Sequence, residues 1–126
     1  MSNEPTIAEL QERAQRFVRE RDWEQFHSPR NLAMALSVEA SELLELYLWT
    51  KDDGPQPLTA AREPRVADEA ADVFICLLNF CSRAGVDLGA AVTDKLQRAE
   101  QKYPADRVRG KALKYDEYEE WKGESE

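Results

Sequence analysis

The chain has one histidine, two cysteines and five glycines in 126 residues. Each shortage removes a class of chemistry. A single histidine, His27, provides no Cys/His metal spacing. It also speaks against a carboxylate-bridged iron or manganese redox bundle, which needs Glu-x-x-His pairs on two helices. Cys76 and Cys81 stand too far apart along one helical stretch to bridge without distortion, and they read as buried free thiols of a reducing compartment. The glycines form no Gly-rich phosphate loop. The longest apolar run, Val73 to Leu78, is far too short to span a bilayer. Basic residues are outnumbered 17 to 25, for a net charge of −8. Without a strong basic field to displace phosphate counterions, a nucleic-acid polymer is not expected as partner. With no signal peptide at its start, the chain is expected to be cytoplasmic, with no membrane partner.

What the chain does have is acid in apolar surroundings. Two acidic pairs occur, Glu39-Ala-Ser-Glu42 with Glu45 beyond it, and Glu69-Ala-Ala-Asp72. A spacing of three places each pair about 60° apart on one helix face. Leu32, Leu36, Leu43 and Leu46 surround the first pair, and Val73, Phe74, Leu77 and Leu78 the second. Such spacings also occur on ordinary solvated helices. Here the apolar neighbours predict that at least one pair points into a largely buried space. Four carboxylates gathered there repel one another unless a cation offsets the charge. Oxygen-only ligation suits a hard ion, Mg²⁺ first, with Mn²⁺ as a substitute. Mg²⁺ commonly completes its shell with substrate phosphates, which points to phosphoryl or nucleotidyl chemistry. A small phosphate ligand is compatible with the acidic chain, because a bound metal reverses the local sign.

The length fits one domain. Thr6-Ile-Ala-Glu9 has capping-box spacing and opens a helix from about Ile7 to Arg21. The segment from Arg21 to Pro29 reads as a loop holding Trp23, Phe26 and His27. Its aromatics either cap the end of the core or form a base-stacking wall, with His27 donating to a ligand. Ser28-Pro29 starts a second helix, expected to reach Trp49. Trp49 would then return to nearly the face of Glu42, about 10 Å along the axis. After Pro- and Gly-rich loop text, a third helix is expected from near Pro64 to Gly85. It is apolar almost all the way round, which four helices in one short chain cannot easily cover, so a subunit interface is expected. Asp87 is expected to cap a fourth helix ending at Pro104. Lys95 lies mid-helix, where a lone lysine commonly snorkels. From Ala105 the chain reads as an extended tail, either solvated or folded over a neighbour through Tyr115, Tyr118 and Trp121.

These residues carry a resemblance. The chain resembles the all-α nucleoside triphosphate pyrophosphohydrolases of the MazG-like superfamily, and among them the dCTP pyrophosphatase branch. The likeness runs from Thr6 to Tyr115. It includes Arg21-Asp-Trp-Glu-Gln-Phe-His27, Pro29-Arg-Asn31, Glu39-Ala-Ser-Glu42-Leu-Leu-Glu45, Trp49, Asp68-Glu69-Ala-Ala-Asp72, Val86-Asp-Leu88, Lys95 and Lys102-Tyr-Pro104. It implies a four-helix MazG-like bundle over residues 1–110, a polar tail over 111–126, and assembly as a homodimer or homotetramer. It implies cleavage of a nucleoside triphosphate, dCTP or a modified pyrimidine deoxynucleotide, between the α- and β-phosphates. The residues matching the family's Mg²⁺ ligands are Glu39, Glu42, Glu69 and Asp72. Trp23, His27 and Trp49 match its base pocket, and Lys95 matches a phosphate-contacting lysine.

The expected mechanism is metal-assisted attack of water on the α-phosphorus, with Glu45 either orienting or deprotonating that water or standing behind the ligands or on the surface. A house-cleaning role in the nucleotide pool follows from the likeness alone. The dCTP branch carries His, Tyr and Asn where this chain has Ala14, Cys76 and Ala99, so contacts near sugar and phosphates are thinned. The rival reading is a nucleotide-binding regulatory module without turnover.

Overall fold

The structure, a computed structural model, describes residues 3–50, 57–113 and 117. Among these residues five α-helices follow in chain order: α1 (Ile7–Glu20), α2 (Pro29–Glu45), α3 (Arg65–Ala84), α4 (Leu88–Lys102) and the short α5 (Ala105–Val108). Among the described residues there is no strand, so the all-α expectation holds. The expected tail residues Tyr115, Tyr118 and Trp121 lie outside the described residues. By contacts the chain divides into two compact units, Met1–Leu88 and Gly89–Glu126.

In the first unit the helix starts follow local chemistry. The Thr6 hydroxyl accepts from the Glu9 amide at 3.1 Å and donates to Glu9 Oε1 at 3.2 Å. Ser28 caps α2 by accepting from the Asn31 amide at 3.1 Å, with Pro29 as the first helical residue. This spends a donor the helix would otherwise leave open, at a position where proline lacks one anyway. The third helix stops where expected: Gly85 takes φ 72°, and the Val86 amide closes back onto the Cys81 carbonyl at 2.9 Å. A left-handed residue there strains any side chain but glycine's absence of one.

Two expectations are corrected. The segment from Arg21 to Pro29 is not wholly loop, because Glu24–Phe26 form a 3₁₀ turn. The second helix ends at Glu45, not at Trp49. Past Glu45 the amides of Leu46, Tyr47 and Leu48 bond to carbonyls three residues back, and Trp49 sits at φ 67°. The chain tightens and then turns left-handed, so Trp49 does not return to the helix face of Glu42. The Tyr47 hydroxyl donates to the Leu58 carbonyl at 3.1 Å and ties this turn to the approach to α3.

The core of this unit is α3, which packs against both α2 and α1. Val18, Leu32, Cys76, Leu78 and Cys81 are buried. Cys76 Sγ donates to the Leu32 carbonyl at 3.5 Å, linking α3 to α2. Gln11 donates to the Ser82 hydroxyl at 2.9 Å, linking α1 to α3. Burial pushes both thiols above their ordinary pKa, so neither is readily ionised. Around α3 the cover is incomplete: Phe74, Leu77 and Phe80 are half-buried, and Ile75 is exposed.

In the second unit α4 ends as the Tyr103 amide bonds to the Ala99 carbonyl at 2.8 Å, and Pro104 starts α5. The short helix replaces part of the extended tail expected from Ala105. Arg98 and Asp94 pair at 2.9 Å along α4, an exposed contact that contributes little to stability. No single helix among the described residues is long and apolar enough to cross a membrane.

Candidate metal centre and its surroundings

The two acidic spacings meet because α2 and α3 run antiparallel. Leu32 near the start of α2 faces Cys76, while Glu39 and Glu42 further along reach Glu69 and Asp72 near the start of α3. Each of the four carboxylates offers an oxygen, and these oxygens all lie within 4.8 Å of one another. Glu39, Glu42 and Glu69 are half-buried and Asp72 is exposed, so the cluster is partly withdrawn from water and open at Asp72.

The electrostatics of the cluster are unfavourable without a counter-charge. Desolvation first, then the charges of Glu42 and Asp72, push the Glu39 carboxyl above its ordinary value. Glu69 is raised for the same reasons in the same order. Glu69 Oε2 is wholly buried and has no hydrogen-bond partner among the described residues. A buried carboxylate oxygen without a donor is uncommon, because its lost hydration is not replaced. Four convergent oxygen donors, one of them orphaned, fit a hard divalent cation with room for further ligands. By contrast Glu63, in the same unit, is fully satisfied. The Arg65 guanidinium grips it at 2.9 and 3.0 Å, and Arg65 holds its carboxyl down at about 2.

The other residues singled out from the sequence are placed less uniformly. Glu45 is the last residue of α2, exposed and outside the carboxylate cluster. Trp23 lies at the start of the 3₁₀ turn, 45% exposed, with its ring edge-on to Phe17 at 5.9 Å. The Arg21 guanidinium covers that Phe17 ring at 3.7 Å. Trp49 is 99% exposed, so among the described residues its ring packs against nothing. Lys95 is exposed on α4 in the second unit. Of the three departures, Cys76 is buried against α2, Ala14 is half-buried on α1 and Ala99 half-buried on α4.

His27 is half-buried beside a polar cleft of about 290 Å³ between α1 and α3, where Gln15, Arg19, Glu24, Asn79 and Arg83 join it. Arg83 Nε donates to the His27 carbonyl at 2.8 Å and pins the turn to α3. Sequence reading singled out His27 but not Gln15, Arg19, Asn79 and Arg83. The available signal was the continuation of one α3 stripe through 69, 72, 76, 79 and 83, which runs from the carboxylates into polar text at Asn79 and Arg83.

Comparison with known proteins agrees with this geometry. Residues 34–118 match the MazG-like family, a span that contains all four clustered carboxylates. The chain is 43% identical over 116 residues to mouse dCTP pyrophosphatase 1, covering 90% of this chain and 68% of that protein. It is 41% identical over 118 residues to the human dCTP pyrophosphatase 1, covering 92% and 69% respectively. A crystal structure of a pyrophosphatase from Archaeoglobus fulgidus superposes with a TM-score of 0.71 at 34% identity, over 82% of this chain and 97% of that one.

Proposed function

The chain belongs to the MazG-like family and is a nucleoside triphosphate pyrophosphohydrolase, and on that premise we propose its cofactor, substrate and site. The cofactor is a divalent cation, Mg²⁺ with Mn²⁺ able to substitute, held by Glu39, Glu42, Glu69 and Asp72. The substrate is dCTP or a modified pyrimidine deoxynucleoside triphosphate, as the names of the relatives suggest. The observation that carries the reading is the meeting of four carboxylates within 4.8 Å around an unpartnered Glu69 Oε2.

Held by these four carboxylates, a divalent ion would supply neutralisation of the phosphate charge that develops during attack. The residues of the chain do the rest. Glu39 and Glu42 present their carboxylates from one rigid helix, and Glu69 and Asp72 from its packed neighbour, so the donor set is preorganised before substrate arrives. Glu45 stands one turn beyond Glu42, free of the cluster, and its carboxylate takes the proton of the attacking water. The water oxygen joins the α-phosphorus as the bond from that phosphorus to the bridging oxygen breaks, giving the monophosphate and pyrophosphate. Trp23 and Trp49 offer ring faces to the base, His27 a ring nitrogen, and Lys95 an ammonium for the phosphates.

The test is product identity. With Mg²⁺, dCTP is expected to yield pyrophosphate and dCMP, with no release when the ion is chelated. Orthophosphate plus dCDP as main products would overturn the cleavage position, and tight binding without turnover would leave a regulatory module.

The working form is a homodimer or homotetramer. In support, Met34, Val38 and Leu44 of α2 and Ile75 of α3 are all exposed, while only five apolar residues are buried among the described residues of the single chain. Exposed apolar area on this scale in one chain marks an association surface. Light scattering at micromolar concentration is expected to give a multiple of 14.4 kDa. A monodisperse species at the single-chain mass would refute it.

A further inference from the structure

Past Glu45 the chain leaves the helix but does not come loose. The Leu46, Tyr47 and Leu48 amides reach carbonyls three residues back, and the Thr50 amide and hydroxyl both donate to the Tyr47 carbonyl, at 3.2 and 2.7 Å. Between them Trp49 sits at φ 67°, a left-handed conformation that a bulky side chain rarely adopts. Such a residue persists only where its surroundings fix the backbone more firmly than its own preference opposes. Packing of the Trp49 ring supplies none of this among the described residues, because the ring is 99% exposed.

The turn is also held at long range. The Tyr47 hydroxyl donates to the Leu58 carbonyl at 3.1 Å, eleven residues on, and both residues are half-buried. The far end of that bond is itself ordered. The Thr59 carbonyl accepts from the Arg62 and Glu63 amides at 3.0 and 2.9 Å, and Arg62 Nη1 donates to the Pro57 carbonyl at 3.4 Å, just before α3 begins. Trp49 is thereby tied to both helices that carry the carboxylates. The chain joins it to α2, with Glu39 and Glu42, and Tyr47 joins it through Leu58 to the start of α3, with Glu69 and Asp72. The backbone that bears the ring is fixed against the carboxylates, although the ring face is open.

We propose that Tyr47 is a positioning residue for the substrate: its hydroxyl fixes the left-handed turn that presents the Trp49 ring to the base. It acts through Trp49 and touches neither the base nor the phosphates. The proposal rests on the stacking of the base on Trp49 set out under the proposed function. What the bond contributes is order before binding, since a ring whose backbone is already placed loses less freedom when a base settles on it. The reacting phosphates lie at the carboxylates, so the effect falls on substrate binding and not on the chemical step.

Tyr47→Phe removes one oxygen and keeps the ring, and the half-buried Leu58 carbonyl then turns to water, so the fold is not threatened. The full chain is assayed with Mg²⁺ and dCTP as parent, Tyr47→Phe, Trp49→Ala and the double variant. Hydrogen exchange of the amides of residues 46–50 is followed without nucleotide. Tyr47→Phe is expected to raise KM about fivefold, the net worth of one ordinary hydrogen bond, with kcat kept and with faster exchange across the turn. In the Trp49→Ala background the same substitution is expected to leave KM where Trp49→Ala alone puts it, because residues that act as one unit are not additive. A KM rise of the same factor in both backgrounds, or a fall in kcat in place of a rise in KM, overturns the positioning role. So does exchange unmoved by Tyr47→Phe. A raised KM in Trp49→Ala beside a parental one in Tyr47→Phe overturns the proposal alone and leaves the stacking reading standing. A parental KM in Trp49→Ala overturns the stacking reading itself and the proposal with it.

Discussion

Glu42→Gln and Asp72→Asn are each expected to lower turnover of dCTP by about a thousandfold or more. Each removes one charged oxygen donor from a set whose oxygens lie within 4.8 Å of one another. The ion they hold is asked to supply several kcal/mol of charge stabilisation at the phosphates. About 4 kcal/mol of that is a factor of a thousand in rate. The amide replacements keep shape and hydrogen-bonding capacity, so a loss of this size is attributable to charge. An aromatic contact behaves differently. Trp49→Ala removes a ring that takes no part in the cluster, and stacking on one aromatic is worth roughly 1–3 kcal/mol per base in single-strand binders. Its effect belongs in KM, tenfold or so, with kcat nearly kept. Steady-state kinetics of the three variants check both halves. Near-parental turnover in Glu42→Gln would remove the cluster from catalysis, and an unchanged KM in Trp49→Ala would remove Trp49 from the substrate.

The same substitutions are expected to have opposite effects on stability with and without the ion. In chelated protein Glu42→Gln should melt a few °C higher than the parent, because it deletes a charge that repels both Glu39 and Glu69. With Mg²⁺ in excess the parent should overtake it, since an ion at a hundred times its Kd adds about 2.7 kcal/mol to the parent and far less to the variant. The pH dependence has a definite sign. Glu39 and Glu69 have folded values above the ordinary 4.5. The folded chain therefore binds protons more tightly than the unfolded one, and this contribution grows as pH falls from neutrality toward 4.5 and is lost as pH climbs. Glu63 acts in the opposite sense. Its folded value near 2 gives a contribution present above 4.5 and lost toward 2, so the window for the carboxylate cluster lies above that loss. Thermal unfolding of parent and Glu42→Gln at pH 5 and 7.5, each with EDTA or Mg²⁺, decides the matter. Equal melting under all four conditions would return the carboxylates to an ordinary solvated surface.

The parts of this molecule that were legible in its sequence are those set by short-range chemistry. Thr6, Ser28-Pro29 and Gly85 mark helix ends with side chains or backbone freedom a few residues away, and the ends fall there. The carboxylates were legible because each pair is local and only one antiparallel pairing was needed to join them. The end of α2 was not. Tyr47, Leu48 and Trp49 continue the apolar text, and the nearest Gly or Pro comes only at Gly54. Nothing local announces that the chain will tighten after Glu45. The cleft was illegible for a different reason. Gln15, Arg19, Asn79 and Arg83 are single polar residues on separate helices, each ordinary where it stands. Their meeting depends on how α1 lies on α3 and on a bond between residues 27 and 83.

The position of Trp49 has a spectroscopic consequence. The turn that ends α2 leaves an indole open to water on all sides, at the rim of the unit that carries the carboxylates. The emission of an indole depends on the polarity around it, and a ring already at full exposure can change in one direction only. A base laid on it or a neighbouring subunit closed over it would both move the signal toward that of a buried ring. The first change would follow nucleotide concentration and the second protein concentration. Trp23, half covered by Phe17, has less range. With Trp121 replaced by phenylalanine, the chain would carry its own optical gauge of what comes to rest on this ring, with no label attached.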